Sequence, residues 1–402
     1  MTKKFLYFQP QYVREFVCDG SKCSNNCCER AWMIDVDAET FEQYRQIQPA
    51  DKARAITDCF VRNAEGDYLI KERPCPFLTE KKLCGLQLEY GENFLSKVCA
   101  SFPRSLFNFG KFFERSLSIS CPVAAEMILF ADEPMKFELV ELRKVDDKAA
   151  ITLVKIDQRL VQRIPESQIA MISILQERTL SIDQRLIVLG FFVDRLNEIF
   201  FDVTKEDALT KLVAAYESKK FLSEQVPRML ASVHFDAKKF VDRMTKISEA
   251  IYEHLLFDAA GKKFLDALND TLDILPAADK KISAEKIADD YERLADARKN
   301  FSARYTTLLE NFLVNELFLT CLPWNAKERF AKNFGVFVAT YKLFELLAFA
   351  AVRKNFCGKD ELVRLVVWFI GQAGHNKNFA KRILPFISDD MFSSLEIFLE
   401  AT

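Results

Sequence analysis

The spacing of hydrophobic and polar positions changes near residue 121 and divides the chain into two predicted regions. Before that point, short extended segments such as residues 67–71 and 113–119 alternate with turn-forming pairs such as Cys84-Gly85, the pattern of small hairpins joined by loops. After it, apolar residues recur at helical spacing beside faces rich in lysine and glutamate. We therefore predict a mainly α-helical protein, in which a small α+β domain over residues 1–125 packs on a large α-helical domain over residues 126–402.

The clearest predicted helix follows Ser181. Apolar residues step by three or four positions from Leu186 to Phe200, and Ser181 with Gln184 forms a capping box ahead of them. Similar stripes predict helices over residues 126–131, 147–163, 166–178, 207–218, 237–256, 284–296, 304–320, 327–353, 360–371 and 378–400. Prolines mark the predicted breaks, at Pro165, Pro227, Pro276 and Pro323.

The composition is that of a globular chain, with 50% hydrophobic and 28% charged residues. The 56 basic and 58 acidic residues leave a net charge of −2, and no Lys/Arg block is long enough to follow a phosphate backbone, which argues against a nucleic-acid partner. The apolar run from Leu186 to Val193 is far shorter than the roughly 20 residues that span a bilayer, and the first residues have no secretory core. We expect a soluble cytoplasmic protein with no membrane partner.

The cysteines are the strongest chemical signal, because nine of the eleven lie in the first third of the chain. Four fall between positions 18 and 28, and such a cluster in a cytoplasmic chain indicates a metal or metal–sulfur site instead of disulfides. The three histidines lie far from it, so the expected ligands are thiolates, which suit zinc or an iron–sulfur cluster. The predicted ligands are Cys18, Cys23, Cys27, Cys28, Cys75, Cys84, Cys99 and Cys121.

Two further expectations concern individual cysteines. Cys27 and Cys28 are adjacent, and in an extended loop their side chains point apart, so only one of the pair is expected to bind a given metal ion. The other three cysteines, Cys59, Cys321 and Cys357, are predicted to be small buried residues.

The motifs around these cysteines resemble those of the flagellin lysine N-methylases. They are Phe16-Val-Cys18, Cys23, Cys27-Cys28, Trp32, Ile34-x-Val-Asp37, Cys75-Pro-Phe-Leu78, Leu83-Cys84-x-Leu-Gln87, Tyr90-Gly-Glu92, Cys99-x3-Pro103-Arg104 and Ser118-x-Ser-Cys121-Pro122. Later segments, Leu309-Glu310-Asn311 to Asn315 and His375-Asn376, are also similar to that family. The portion from Cys23 to Pro103 resembles, in addition, a broader group of zinc- or iron-chelating domain proteins.

The resemblance implies transfer of a methyl group from S-adenosylmethionine to lysine side chains of flagellin, with a cysteine-bound iron–sulfur cluster in or near the site. A [4Fe–4S] cluster is the expected form, with zinc as the alternative. The chain has only eleven glycines and no G-x-G motif, so we expect no Rossmann-type methyltransferase sheet behind a glycine-rich loop. The donor must then bind in another way.

Several residues inside these motifs are candidates for the active site. An attacking lysine amine must be neutral, so a base is expected, and Tyr90 and Asp37 are the catalytic candidates. Trp32 could face the sulfonium of the donor and Arg104 its carboxylate. Further along the chain, one predicted helical face carries the other candidates for donor binding, Glu310, Asn311 and Asn315, which could instead tie down a neighbouring loop.

Two other functions are compatible with the same residues. A non-enzymatic zinc- or iron-binding or electron-transfer protein would use the cysteines alone, and an interaction scaffold would hold structural zinc. Binding of S-adenosylmethionine separates these alternatives from the methylase, because neither of them has a use for the donor.

Overall fold

The computed structural model describes residues 4–20, 23, 26–29, 34–63, 66, 68–72, 74–143, 151–255, 259–275, 284–322, 324, 330–375 and 378–401. They form two compact units. The first unit comprises the described residues up to Glu126 together with Phe137–Leu153, and the second comprises Met127–Lys136 and the described residues from Val154 onward.

The first unit contains two β-sheets. The described strands are β1 (Phe5–Pro10), β2 (Asp35–Val36), β3 (Phe60–Arg62), β4 (Tyr68–Ile70), β5 (Arg104–Asn108), β6 (Phe113–Leu117), β7 (Phe137–Leu142) and β8 (Ile151–Leu153). The larger sheet has the order β7-β1-β6-β5-β8, in which the β1–β6 and β5–β8 pairs are parallel and the other two pairs are antiparallel. The smaller sheet, β2-β4-β3, is antiparallel. The extended segments predicted at residues 67–71 and 113–119 thus contain β4 of the smaller sheet and β6 of the antiparallel β5–β6 pair.

Short helices also form in the described part of the chain up to residue 129. The helices up to residue 129 are α1 (Ala38–Arg45), α2 (Ala50–Thr57), α3 (Gly85–Tyr90), α4 (Lys97–Ser101) and α5 (Pro122–Leu129). A hydrophobic core joins Tyr44 of α1 to Phe60 and Ile70 of the sheet and to the buried Cys75. The predicted turn at Cys84-Gly85 is wrong, because Gly85 begins α3. Its amide donates to Phe77 O over 2.7 Å, and a Cβ at Gly85 would lie 3.2 Å from that oxygen.

The second unit is helical. Its helices are α6 (Arg163–Leu175), α7 (Ile182–Ile199), α8 (Glu206–Tyr216), α9 (Val226–Ser232), α10 (Ala237–Tyr252), α11 (Ala259–Leu272), α12 (Ala284–Arg293), α13 (Ala295–Arg304), α14 (Thr306–Leu319), α15 (Phe330–Arg353), α16 (Lys359–His375), α17 (Phe379–Ile383) and α18 (Met391–Phe398). Both halves of the predicted capping box between Ser181 and Gln184 are present at the start of α7. The prediction of a mainly α-helical chain with a small α+β part and no Rossmann-type sheet is confirmed for the described residues.

Two of the predicted helices are wrong in extent. In the segment 147–163, residues 144–150 lie outside the described part of the chain, Ile151–Leu153 forms β8, and the helix begins only at Arg163. The segment 378–400 is divided into α17, a 3-10 turn over Leu384–Phe386 and α18, because Pro385 cannot continue the α17 hydrogen-bond ladder.

Helix α15 forms much of the core of the second unit. By length and composition alone it could cross a membrane, but 72% of its most apolar window is buried inside the protein. Such burial is typical of the core helix of a compact domain. The helix nevertheless contains Lys342 and Glu345, two charged residues that its apolar sequence must accommodate.

Candidate functional site

Five of the eight predicted ligand cysteines lie close together in the first unit. The Cys28 thiol shares side-chain hydrogen bonds with Cys27 and Cys75, and Cys75 N donates to Cys28 O over 2.8 Å. Cys84 and Cys99 lie within electrostatic range of Cys75 and Cys27. We call these five residues the five-cysteine group.

The adjacent pair is positioned by a tight turn and not by an extended loop. Cys27 and Cys28 open a 3-10 turn, Cys27–Glu29, in which the amide of Cys28 donates to Asn26 Oδ1 over 2.8 Å. The buried Asn26 also donates through Nδ2 to Lys82 O over 2.9 Å. The expectation that the two side chains point apart is therefore wrong, because the turn brings the two thiols within hydrogen-bonding distance of each other.

The remaining members of the group come from the starts of two helices. Cys84 immediately precedes α3, and Cys99 lies in the first turn of α4, where its amide donates to Ser96 Oγ over 3.3 Å. Cys75 is buried in the small hydrophobic core. Four separate segments of the chain thus deliver sulfur atoms to one region.

The protein environment favours the protonated form of three of these thiols, those of Cys28, Cys84 and Cys99. Hydrogen bonds to Cys27 and Cys75, together with burial, raise the pKa of Cys28. Burial raises the pKa of Cys84, and it raises the pKa of Cys99 to about 11, with neighbouring thiolates adding to both shifts. Bringing several thiolates together therefore requires positive charge, which a bound metal supplies.

The ligand chemistry of the group fits thiolate-bound zinc or an iron–sulfur cluster, both of which take soft sulfur ligands. Among the residues that the structure describes, however, no three side chains of His, Cys, Asp or Glu are arranged to hold a metal ion. The five-cysteine group is thus a set of suitable donors that are close together but do not surround one point.

The other three predicted ligands form a second group. Burial, with a smaller contribution from the nearby Cys23 and Cys18, raises the pKa of Cys121 to about 11. Cys121 is buried and Cys18 is exposed. Of the cysteines predicted to be buried, Cys321 is buried, whereas Cys59 is only partly buried and Cys357 is exposed, so the prediction is wrong for the last of these.

The two catalytic candidates are engaged in local structure. Asp37 caps α1: its carboxylate accepts from Thr40 N at 3.1 Å, Thr40 Oγ1 at 2.8 Å and Lys97 N at 3.3 Å. Partial burial opposes ionisation, but these hydrogen bonds lower the pKa of Asp37 overall. The Tyr90 hydroxyl donates to Glu89 Oε1 over 3.1 Å, and desolvation with this hydrogen bond raises its pKa. A carboxylate with a lowered pKa is a weak base, and the phenol stays protonated.

One candidate for donor binding, Arg104, lies in the first unit. The guanidinium of Arg104 lies 5.1 Å from the centre of the Phe16 ring and has no ion-pair partner in the described part of the chain. Trp32 lies outside the described residues. Arg104 thus keeps hydrogen-bonding capacity for an anion.

Glu310, Asn311 and Asn315 are buried in α14. The Glu310 carboxylate pairs with Arg178 Nη2 at 2.9 Å and Arg185 Nη1 at 2.8 Å. Asn311 Nδ2 donates to Ala131 O over 2.9 Å. Asn315 Nδ2 donates to the carboxylate of the next residue over 3.3 Å. The contacts of Glu310 and Asn311 tie neighbouring segments of the second unit to α14, which is the loop-fixing alternative that the sequence left open, whereas the Asn315 contact stays within the helix.

The second unit contains a cavity of about 490 Å³ at the N-terminal end of α7. Its walls come from residues 178–185, from α12 and α13, from α15 and from Glu400. Arg178 and Arg185 belong to the lining, and Glu310 does not. The ion pairs of Glu310 therefore hold two residues of the cavity lining in position.

Two charge networks line this cavity. In the first, Lys342 Nζ lies 2.7 Å from both oxygens of Asp183 and 2.8 Å from Glu345 Oε2. Burial opposes the charge on Lys342, but the two carboxylates outweigh it and raise the pKa of the ammonium above its usual range. In the second network, Glu400 Oε1 accepts from Arg298 Nη1 at 2.7 Å and from the Tyr291 hydroxyl at 2.9 Å. Burial disfavours the Glu400 carboxylate, yet Arg298 lowers its pKa overall.

The sequence contained a signal for this cavity. Lys342 and Glu345 lie within a helix whose other residues are almost all apolar, and Arg185 lies inside the apolar stripe of α7. A charged residue in a buried stripe is expected to be paired inside the protein. Reading such residues as part of a solvated Lys/Glu face was wrong for Lys342, which is 3% exposed.

Comparison with known proteins identifies similar sequences. The model of the FliB lysine N-methylase C-terminal domain matches residues 168–399. Lysine-N-methylases of Salmonella typhimurium and Salmonella choleraesuis are each 23% identical over 422 aligned residues, which cover 98% of this chain and 99% of each relative. Flagellar biosynthetic protein FliU of Salmonella muenchen is 31% identical over 134 residues, 32% of this chain and 79% of that protein. No solved structure matches.

Proposed function

Since this chain belongs to the FliB lysine N-methylase family, we propose that it transfers methyl groups from S-adenosylmethionine to lysine side chains of flagellin. The observation that carries the proposal is the family match over residues 168–399. Similarity along 98% of the chain to a lysine-N-methylase supports the activity. The flagellar name of the Salmonella muenchen relative supports a flagellar substrate.

The proposed reaction is a two-electron methyl transfer. The lone pair of the lysine nitrogen attacks the methyl carbon, the carbon–sulfur bond breaks, and its electron pair stays on sulfur, which leaves S-adenosylhomocysteine. A lysine ammonium must lose its proton before this attack, because it has no lone pair, and the methylated nitrogen carries a positive charge until it releases a proton to water. Only about one free lysine in a thousand is neutral at about pH 7.4, because the unperturbed pKa is about 10.4. The site must therefore desolvate the amine or accept its proton.

Residues of the first unit are proposed to act on the acceptor side. Tyr90 lies at the end of α3, and its hydroxyl, which donates to Glu89, could accept a hydrogen bond from an incoming protein segment. Arg104 could bind an anionic group there. Asp37 accepts from Lys97 N, two residues before Cys99, so we propose that it positions the five-cysteine group instead of serving as the base.

We propose that four members of the five-cysteine group hold an iron–sulfur cluster, with zinc as the alternative. When bound, such a cluster supplies a Lewis-acidic or redox-active metal and contributes its binding energy to folding. Asn26 and Ser96 hold the peptide segments that carry Cys28 and Cys99. Cys75 anchors the group in the hydrophobic core.

The proposal is tested by product formation from purified protein kept free of oxygen. S-adenosylmethionine and flagellin are added, and S-adenosylhomocysteine and 5′-deoxyadenosine are both quantified. The matched control is flagellin whose lysines have been acetylated, since acetylation removes the nucleophilic amine. We expect S-adenosylhomocysteine to form only with free lysines. Equal formation of S-adenosylhomocysteine with acetylated flagellin would contradict lysine as the methyl acceptor. Formation of 5′-deoxyadenosine in stoichiometric amounts would contradict the two-electron transfer.

A further inference from the structure

We infer that the cavity at the N-terminal end of α7 binds S-adenosylmethionine, an assignment that rests on the proposed function. The cavity lies within the second unit and is lined by residues 178–185, 291–306 and 342–349 together with Glu400, almost all of them inside the family match over residues 168–399. Its volume of about 490 Å³ falls within the range of roughly 300–1,000 Å³ that small-molecule sites occupy.

The first charge network forms a fixed wall of this cavity. Both oxygens of Asp183 are taken by Lys342, and Asp183 Oδ2 also accepts from Glu400 N at 3.0 Å. Glu345 Oε1 accepts from Ser302 Oγ at 2.9 Å and Tyr341 OH at 3.1 Å. These groups are internally satisfied, so their role is to hold α7, α13 and α15 around the cavity.

The second network retains open hydrogen-bonding capacity. Glu400 uses only Oε1, and no donor in the described part of the chain lies on its Oε2. A carboxylate with a free oxygen is the group that binds the ribose hydroxyls of nucleoside cofactors in other folds. Glu400 therefore fits the ribose of the donor.

Cationic groups at the edge of the cavity fit the amino-acid end of the donor. Arg178 holds Glu310 through Nε and Nη2, while its Nη1 makes no hydrogen bond within the described residues. The Arg178 side chain is 38% exposed, and Lys299, another residue of the lining, is exposed. A guanidinium with a free nitrogen matches the α-carboxylate. Glu310 then acts as a positioning residue for Arg178.

Aromatic rings provide the remaining complementarity. Phe301 and Phe349 meet edge to face with ring centres 5.8 Å apart, and both line the cavity. Tyr291, which also lines the cavity, already packs against the Arg298 guanidinium at 3.4 Å and the Phe240 ring at 4.8 Å, so Phe301 and Phe349 are the rings considered for the ligand. Aromatic faces stack on purine bases and attract the cationic sulfonium. Together, the open carboxylate, the open guanidinium and the aromatic rings match the hydroxyl, carboxylate and adenine groups of one zwitterionic nucleoside.

A lysine side chain of the protein substrate fits the same cavity less well. Three carboxylates of the lining, Asp183, Glu345 and Glu400, already form ion pairs inside the protein, the first two with Lys342 and the last with Arg298. An unbranched side chain would also leave most of the volume empty. The donor is therefore the occupant that both size and charge favour.

The test measures binding of S-adenosylhomocysteine to the full-length metal-loaded protein by calorimetry. Glu400→Gln removes the open carboxylate and Ala303→Trp fills the cavity from an exposed position on α13. Asp242→Asn, in an exposed ion pair with Lys246 on α10, is the matched control. We expect the dissociation constant to rise about tenfold or more in the first two variants and to stay within about twofold in the control. Circular dichroism and urea unfolding of each variant verify folding.

The outcomes separate this inference from the proposed function. Unchanged S-adenosylhomocysteine affinity in both folded cavity variants would overturn the assignment, even if the protein methylates flagellin. The same holds if the variants raise the KM for flagellin alone, which would make the cavity an acceptor site. Weakened binding in both variants supports the assignment even if no methyl transfer to flagellin is found. If Glu400→Gln does not fold, the affinity of Ala303→Trp decides.

Discussion

The ammonium nitrogen of Lys342 lies 2.7 Å from each carboxylate oxygen of Asp183. The pair joins the middle of α15 to the first turn of α7, and it is almost completely buried. Because Asp183 also accepts from Glu400 N, three segments that are distant in sequence meet at one charge network. The same network forms a wall of the cavity that we assign to the methyl donor.

Replacing the buried cation should strongly destabilise the second unit. Lys342→Met leaves Asp183 and Glu345 as buried negative charges without a partner, and we expect a loss of about 3–5 kcal/mol of unfolding free energy. Urea denaturation followed by circular dichroism measures it. The control is Lys246→Met, which breaks an exposed pair on α10 and should cost about 0.5 kcal/mol or less. Equal losses in the two variants would contradict the structural role of Lys342.

A second buried carboxylate predicts a dependence of stability on pH. Burial raises the pKa of Glu316 to about 7, although a hydrogen bond from Asn315 opposes the shift. An unfolded glutamate titrates near pH 4.3. Between these values the unfolded chain releases a proton that the folded protein keeps, so the contribution of Glu316 to stability is present below about pH 4.5 and falls as the pH rises towards 7.

Glu316→Gln should remove this dependence. The difference in unfolding free energy between the variant and the wild type should grow by about 3 kcal/mol from pH 4.5 to pH 8, in favour of the variant. Urea titrations at four pH values in this range measure it. Glu249→Gln, at an exposed position of α10, is the control and should give a constant difference. A constant difference for Glu316→Gln as well would show that the Glu316 carboxylate is not perturbed.

The five-cysteine group should carry the metal. Cys84→Ser and Cys99→Ser each remove a sulfur donor from that group, and we expect each variant to lose most of its bound metal. Iron, sulfide and zinc are assayed together with an absorption spectrum on protein purified without oxygen. A [4Fe–4S] cluster predicts a coloured wild type with about four irons per chain.

Cys357→Ser is the matched control for these variants. Cys357 is exposed in the second unit, so its substitution should leave the metal content unchanged. Full metal content in both Cys84→Ser and Cys99→Ser would contradict the assignment of ligands. Zinc in a colourless wild type would keep the group as a metal site but exclude the cluster.

Asp37 should prove to be a capping residue. Asp37→Ala removes the side-chain acceptor for Thr40 N, and such a loss typically costs about 1 kcal/mol. Asp37→Asn keeps an acceptor oxygen, so its stability should change by only a few tenths of a kcal/mol and its methyl-transfer rate should be retained. A large loss of kcat in a stable Asp37→Asn variant would instead identify Asp37 as the catalytic base.

Local sequence signals predicted those elements whose hydrogen bonds are local. The capping box of Ser181 and Gln184 and the apolar stripe that follows it specify α7 without help from the rest of the chain. In contrast, β8 forms by parallel pairing with β5, from which it is separated by more than forty residues, and a helical reading of its segment was therefore wrong. Strand pairing over such a distance leaves no periodic signal.

The candidate site was only partly visible for a similar reason. The cysteines were found because their residue type is distinctive, but the turn that joins Cys27 and Cys28 depends on a contact between Asn26 and Lys82. Lys342 and Arg185 were visible as charges in apolar stripes, yet their partners come from other helices. Sequence shows which residues need a partner, whereas packing decides which partner they find.

The central claim is that the protein methylates lysines of flagellin with S-adenosylmethionine as donor. The most direct measurement is peptide mass spectrometry of flagellin after reaction with S-adenosylmethionine that carries an isotopically labelled methyl group. We predict labelled methyl groups on the ε-nitrogen of surface lysines, in amounts equal to the S-adenosylhomocysteine formed. Flagellin that stays unlabelled with metal-loaded protein, or that carries the label on other residues, would contradict the claim.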